Sequence, residues 1–241
     1  MKTHLILTLT ALCLAGHAPA ETLDDANRAF AEGHYHESTL GFQALLSQEG
    51  YSAPVLFDLG NSYDREGDFA QAIVAYKRAQ WLSPDDPDIA ANLRLAQKQA
   101  GLPVTEPLWS EQISRLLSAS GWAWVGSGAW TLLCASLLAR TALPQRRSLF
   151  FLSGAASALV LFTAIAAMVI LSNELHQAVV TDKSASALIS PFPDARAVFS
   201  PSPGETVTVQ KAYHDFFLVK DAANRMGWIS KSQIALLVSD G

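Results

Sequence analysis

Residues 53–86 have the sequence APVLFDLGNSYDREGDFAQAIVAYKRAQWLSPDD, whose apolar spacing predicts two antiparallel helices. The small residues Gly60 and Ala72 would let these helices approach closely, while larger apolar side chains fill the space between them. Gly67 is suited to the turn between the helices, and Pro84 would stop the second helix. The stretch therefore predicts a closely packed helical hairpin.

A 34-residue period relates this hairpin to the residues that precede it. The matched pairs are Gly33 with Gly67, Tyr35 with Phe69, and Phe42 with Tyr76. The pattern resembles the tetratricopeptide repeat, whose consensus positions are met by Leu56, Leu59, Gly60, Tyr63, Gly67, Phe69, Ala72, Tyr76, Ala79 and Pro84. The resemblance implies an all-α repeat domain at residues 21–100, with a degenerate first copy at 20–52 and a closing helix at 89–100. Such repeats bind other proteins rather than catalyse reactions.

In repeats of this class, first-helix positions line a concave groove. The corresponding residues here are Phe57, Asn61, Asp64 and Arg65, with Asn92 from the following helix. Asn61 and Asn92 could hydrogen-bond the backbone of an extended peptide. The basic pair that holds a C-terminal carboxylate in chaperone-binding members is missing, so that ligand is not expected.

The charge of this part of the chain narrows its partners. Residues 21–120 contain 15 acidic against 7 basic residues, whereas residues 173–241 contain 7 against 6. This balance disfavours nucleic acid and anionic lipid, and it favours a basic partner surface. A solvated acidic helical face without any partner explains the same charge.

Two uncharged stretches predict a pair of membrane-spanning helices. Half of all residues are hydrophobic and only 16% are charged, which is low for a soluble domain. We predict spans at 121–139 and 149–171, separated by a loop at 140–148. The loop contains Arg140, Arg146 and Arg147 and no acidic residue, which places it in the cytoplasm by the positive-inside rule.

Other residues of the spans add detail to this prediction. Three tryptophans of the first span favour the headgroup interface, namely Trp122, Trp124 and Trp130. Small residues could let the two helices pack together, although such residues are common in membrane helices generally. These small residues are Gly126, Gly128, Ala135, Gly154, Ala155 and Ala158.

The N-terminus and the linker complete the helical part of the chain. Residues 1–20 combine Lys2, an apolar run and a small-x-small site, which is typical of a secretory signal peptide. Residues 101–120 begin with helix-breaking Gly and Pro. They continue with an apolar stripe that predicts a helix lying along the membrane surface or packing on the last repeat. The stripe consists of Trp109, Ile113, Leu116 and Leu117.

The last third of the chain changes to a period of two, which predicts β-strands. We predict strands at 206–209, 216–220, 227–230 and 236–238, with a turn at 221–226. Several short strands in so few residues indicate a small barrel.

The order of ALIS and Pro191, then PGETV, then Gly227-Trp228-Ile229 resembles the bacterial SH3-like domains. The resemblance implies an SH3-like domain at residues 172–241. The aromatic residues Phe192, Tyr213, Phe216 and Trp228 could line a groove for a peptide or a cell-wall fragment, or they could belong to the core.

Chemistry-bearing motifs are scarce. His34, His36 and Glu37 are the one cluster of titratable groups, but residues two apart on a helix point to different faces and no further ligand follows at a familiar spacing. Surface turn residues explain them better. The sequence contains no phosphate-binding glycine loop and no nucleophile elbow. We expect no catalytic residue, no metal and no cofactor.

The order of parts is that of a multidomain membrane protein, with a signal peptide, helical repeats, a two-helix transmembrane hairpin and a small all-β barrel. This order, together with LGNSY at 59–63, AIVAY at 72–76 and IAANL at 89–93, resembles the BatE-type proteins of bacterial aerotolerance operons. The resemblance implies an inner-membrane assembly with a MoxR-type ATPase and von Willebrand A-domain partners. The repeats and the SH3-like domain would be periplasmic. An alternative function is an envelope sensor whose SH3-like domain binds peptidoglycan or a cell-wall peptide.

Overall fold

The computed structural model describes residues 22–104, 113–114 and 116–238. The predicted signal peptide and Trp109 of the predicted surface helix lie outside these residues. Seven α-helices and seven β-strands form the described part of the chain. The helices are α1 (Leu23–Ala31), α2 (Tyr35–Glu49), α3 (Ala53–Glu66), α4 (Phe69–Leu82), α5 (Pro87–Gln99), α6 (Ala119–Ala142) and α7 (Arg147–Leu175).

Helices α1 to α5 form an array of antiparallel hairpins, as the sequence predicts. Thr22 precedes α1 and caps it in a capping box with Asp25. Asp86 caps α5 through its side chain. Gly67 ends α3 in the left-handed conformation with φ of 79°, and Asp68 then caps α4. The turn between α3 and α4 is therefore the one that the sequence indicates. Helix α4 ends at Leu82, before Pro84.

The core of the array depends on a close approach of α3 and α4. Tyr76 is almost fully buried, and its ring lies directly against Gly60. A Cβ atom at Gly60 would lie 2.5 Å from the Tyr76 ring, which is too close for any real contact. Only glycine therefore fits at this position, because a larger residue would push the aromatic ring out of the core.

Two helical segments are long and apolar enough to cross a membrane, namely Ser120–Ala142 of α6 and Pro144–Glu174, which includes a short 3₁₀ turn and most of α7. They pack side by side as an antiparallel pair joined by the short 3₁₀ turn Pro144–Arg146. Most of the loop expected at 140–148 is thus helical, because nothing interrupts α6 before Leu143 and a proline is favoured at the first position of the next turn.

The contact between α6 and α7 uses fewer small residues than the sequence suggests. Gly126 lies next to Ala164, and Gly154 lies next to Ser136. Gly128 faces open space, and Ala135, Ala155 and Ala158 are exposed. Trp122 is buried against α7, and its Nε1–H donates to the Ser114 carbonyl oxygen at 2.8 Å.

The C-terminal residues form one antiparallel sheet in the order β3-β2-β6-β5-β4-β1-β7. The strands are β1 (Gln177–Val180), β2 (Ala187–Leu188), β3 (Ala197–Phe199), β4 (Thr206–Tyr213), β5 (Phe216–Lys220), β6 (Met226–Ser230) and β7 (Ile234–Leu236). The hairpin of β5 and β6 agrees with the sequence prediction. Helix α7 continues to Leu175, so the expected domain start at 172 is still helical. The last strand ends at Leu236, whereas the sequence predicts it at 236–238.

The sheet packs directly on the helical array. Ala178 and Val180 belong to the core of the sheet, whereas Val179 lies between them and belongs to a cluster with Ile73, Leu93 and other residues of α4 and α5. Strand β1 is therefore buried on both faces. At the edge of the sheet, the Arg78 guanidinium donates to the Leu236 carbonyl oxygen at 2.6 Å.

The turn between β5 and β6 is stabilised by a buried carboxylate, and it gives a testable pH dependence. Asp221 accepts hydrogen bonds from the Arg225 backbone N–H at 2.8 Å and from its Nε at 2.6 Å. Burial alone would raise the pKa of Asp221, but the hydrogen bonds and charge of Arg225 keep that pKa below its ordinary value. Protonation of Asp221 therefore weakens the folded state.

We expect the stabilisation by Asp221 to be complete above about pH 4, the ordinary carboxyl pKa, and to be lost as pH falls through the lower folded-state pKa. Asp221→Asn should lower the melting temperature at pH 7, and the difference from the unaltered protein should shrink below about pH 4. Thermal unfolding across pH 2–7 measures this. Asp215→Asn, at an exposed position, is the control, and a gap for Asp221→Asn that persists unchanged at low pH would contradict the assignment.

Candidate functional site

The five residues predicted to line a groove lie on one side of the α3–α5 region. Phe57, Asn61, Asp64 and Asn92 are partly exposed, and Arg65 is exposed. Phe57 packs beside the Tyr76 ring with 5.9 Å between the ring centroids, and the Arg65 guanidinium lies 5.9 Å from the Tyr35 ring. The Arg65 guanidinium therefore lies over an aromatic ring rather than projecting alone into solvent.

Asn61 lies at the centre of a hydrogen-bond network on this surface. Its Oδ1 accepts from the Tyr76 hydroxyl at 2.8 Å and from the Asn92 Nδ2 at 3.0 Å. Its side chain also hydrogen-bonds to Asp58. The network joins α3 to α4 and α5. The sequence predicts that Asn61 binds a peptide, but its side-chain oxygen is already hydrogen-bonded within the protein.

Two carboxylates flank this network in a partly dehydrated setting. Burial raises the pKa of Asp58, against the opposing effect of its hydrogen bond with Asn61, and burial also raises the pKa of Asp64, against the charge of Arg65. Burial, followed by the charge of Asp64, raises the pKa of the Tyr76 hydroxyl. The surface therefore carries negative charge that has lost part of its hydration.

Asp64 has the least complete set of partners. Its Oδ1 is buried and has no hydrogen-bond partner among the residues that the structure describes. Oδ1 itself is shielded from solvent, but Asp64 as a whole is partly exposed, so a cationic or N–H donor from another molecule would contact the exposed remainder of this carboxylate. We define the acidic groove as the surface formed by Phe57, Asp58, Asn61, Asp64, Arg65 and Asn92.

A cavity that sequence reasoning missed lies on the other side of α3. It has a volume of about 290 Å³ and is lined by residues of α2, α3 and α4, including Leu56, Leu59, Tyr63 and Arg78. With 3.6 residues per turn, Leu56, Leu59 and Tyr63 lie roughly opposite Phe57 and Asn61 on the helix. The sequence does not reveal this cavity, because Leu56, Leu59 and Tyr63 match the repeat pattern as core residues.

Three of the four aromatic residues predicted on the β domain come together on the outer face of the sheet. Tyr213 pairs with Phe216 across β4 and β5, and the rings of Tyr213 and Trp228 lie edge to face at 6.2 Å. Trp228 alternates with the core residue Ile229, so it projects away from the core. Phe192 lies on the loop between β2 and β3 instead of on these strands.

The histidine cluster makes only long contacts with neighbouring carboxylates. His34 Nδ1 lies 3.8 Å from carboxylate oxygens of Glu32 and Glu37, and His36 Nδ1 lies 3.4 Å from Glu66. Within the described ranges, no group of three or more His, Cys, Asp or Glu side chains is arranged to hold a metal ion.

Comparison of the chain with protein-family models and with curated proteins finds no match.

Proposed function

We propose that this protein is a non-catalytic, membrane-anchored scaffold whose helical repeats bind a partner protein at the acidic groove. The observation that carries the proposal is Asp64, a partly exposed carboxylate about one helical turn after Asn61, whose amide is hydrogen-bonded to Asn92. Carboxylate and amide groups on a shallow helical surface suit a protein segment that brings N–H donors and positive charge. The net negative charge of residues 21–120 supports a basic partner.

The packing of the sheet on the helices supports a particular arrangement at the membrane. Because α6 and α7 are antiparallel, the start of α6 and the end of α7 lie at the same end of the pair. The helical array and the sheet also contact each other through Val179 and Arg78. If α6 and α7 span a bilayer, both domains lie on one side of it, and we assign them to the periplasmic side of the bacterial inner membrane.

The partner class follows from the resemblance to BatE-type proteins. That resemblance includes tetratricopeptide repeats and an SH3-like domain, and it suggests A-domain membrane proteins of a MoxR-type ATPase assembly as partners. The acidic groove would recognise a basic segment of such a protein. Membrane lipid is the second expected partner, and nucleic acid is disfavoured by the charge of the array.

Asp64→Asn tests the groove with little change in shape. We expect this variant to bind the partner about tenfold more weakly, because it replaces a charge-assisted hydrogen bond with a neutral one. The measurement is cross-linking and affinity purification of the full-length protein from its native membranes, with quantitative mass spectrometry of the recovered proteins. Asp64→Asn is preferable to Asn61→Ala, since Asn61 also holds Tyr76 and Asn92 in place.

Asp85→Asn is the matched control, because it removes the same charge from an exposed position between α4 and α5. Equal recovery of partner proteins with Asp64→Asn and Asp85→Asn would refute the groove assignment.

A second candidate function rests on the aromatic pair of the sheet. Tyr213 is 43% exposed and lies against Trp228, an arrangement that suits stacking on a peptide or a sugar ring of peptidoglycan. Recovery of cell-wall fragments instead of proteins in the same purification, with loss in Tyr213→Ala, would transfer the binding function to this domain.

A further inference from the structure

A second cavity lies where the helical array, the two apolar helices and the sheet meet. It has a volume of about 450 Å³, within the roughly 300–1,000 Å³ range of small-molecule sites, and its lining is mainly apolar. Trp81 near the end of α4 and Leu237 after β7 form one part of the lining. Leu117 and Leu171, beside the start of α6 and near the end of α7, form another part.

The charged residue at the end of α7 shows where along the apolar helices the cavity lies. No charged residue occurs between Arg147 and Glu174, so Glu174 marks the place where α7 would leave a bilayer. Leu171 precedes Glu174 by about one helical turn, and both residues line the cavity. At the start of α6, Ser118 caps the helix and lines the same cavity. The cavity therefore lies at the level where both helices would emerge from the membrane.

Large apolar side chains in the lining of this cavity are exposed to solvent. Trp81 is 41% exposed and Leu117 is 40% exposed, although both are large and apolar. Contact of these side chains with water is unfavourable, and a hydrocarbon chain bound in the cavity would displace that water. Tryptophan is also the residue most suited to the headgroup level of a membrane.

We propose that this cavity binds an acyl chain of a zwitterionic membrane phospholipid. The proposal rests on the membrane anchoring of the proposed function. Leu117 and Leu171 place the cavity beside the ends of α6 and α7, next to the bilayer, and the hydrocarbon of an acyl chain matches these apolar lining residues. A zwitterionic lipid is favoured over an anionic one because one basic and one acidic residue, Lys77 and Glu174, line the cavity and the adjoining helical array is acidic. The bound lipid would join the array and the sheet to the two helices.

The test is photolabelling of the full-length protein in phosphatidylcholine vesicles that carry a diazirine in one acyl chain. We expect lipid adducts on the outer surfaces of α6 and α7 and, in addition, on Trp81 and Leu237, which belong to the array and the sheet. The labelled residues are located by mass spectrometry of peptides. A filling variant, Gln80→Trp, should reduce the adducts on Leu237 several-fold, because Gln80 lines the cavity.

Gln99→Trp is the control for this variant, since Gln99 is an exposed residue of α5. Equal melting temperatures of the two variants would show that a loss of adducts is not due to unfolding. Adducts on α6 and α7 without adducts on Trp81 or Leu237 would overturn the lipid site and leave the membrane anchoring intact. Absence of adducts from α6 and α7 as well would overturn the anchoring, and the lipid site with it.

Discussion

Replacement of Val179 by aspartate is expected to detach the sheet from the helical array. The Val179 side chain is fully buried in the cluster formed with Ile73, Tyr76 and Leu93. A carboxylate at this position would have no cationic partner within that cluster, so we expect a loss of about 3–5 kcal/mol in the free energy of unfolding. For a chain of 241 residues the melting temperature should fall by about 6–20 °C.

Thermal unfolding and hydrogen exchange of the full-length protein in detergent would measure this effect. Besides the lower melting temperature, the amides of α4 and α5 should exchange faster, since these helices lose the surface that covers them. Val198→Asp is the matched control, because Val198 is a 53% exposed valine in strand β3 of the same sheet. Similar effects of the two substitutions would show that the contact between sheet and helices contributes little to stability.

Gly60→Leu is expected to disrupt the core of the helical array. A Cβ atom at Gly60 would lie 2.5 Å from the Tyr76 ring, and the ring cannot move without weakening the hydrogen bond from its hydroxyl to Asn61. Overpacking together with this lost bond should lower the free energy of unfolding by about 3 kcal/mol or more. The melting temperature should then fall by about 6–12 °C.

Gly128→Leu provides the comparison for Gly60→Leu. Gly128 is also a helical glycine, but a Cβ atom there would have no neighbour within 4 Å among the described residues. The same side chain should therefore be tolerated in α6. A melting temperature of Gly60→Leu equal to that of Gly128→Leu would mean that α3 and α4 can separate without loss of stability.

The helical part of the fold could be predicted because its signals are local. Apolar spacing, Gly67 at the turn and Pro84 after the second helix determine where the hairpin begins, turns and ends. The two apolar helices follow from the absence of charge over a length that can span a bilayer. The hairpin of β5 and β6 follows from alternation and the intervening turn.

The candidate site could be predicted only in part. The repeat pattern indicates Asn61 and Asn92 as neighbours on one surface, and the two amides do lie together. The pattern does not indicate that Tyr76 uses the same Asn61 oxygen, or that burial leaves one Asp64 oxygen without a partner. These features depend on how α4 and α5 pack against α3.

By itself, the sequence determined the hairpins of the helical array, the two apolar helices and the central strands of the sheet, since each depends on residues close together in the chain. Only the tertiary structure decided that β1 is a strand and that the sheet packs on the array. Strand β1 is buried on both faces, with Ala178 and Val180 facing the sheet core and Val179 facing the helices. A strand buried on both faces lacks the alternation that marks a half-exposed strand, and its burial depends on helices about 100 residues earlier in the chain.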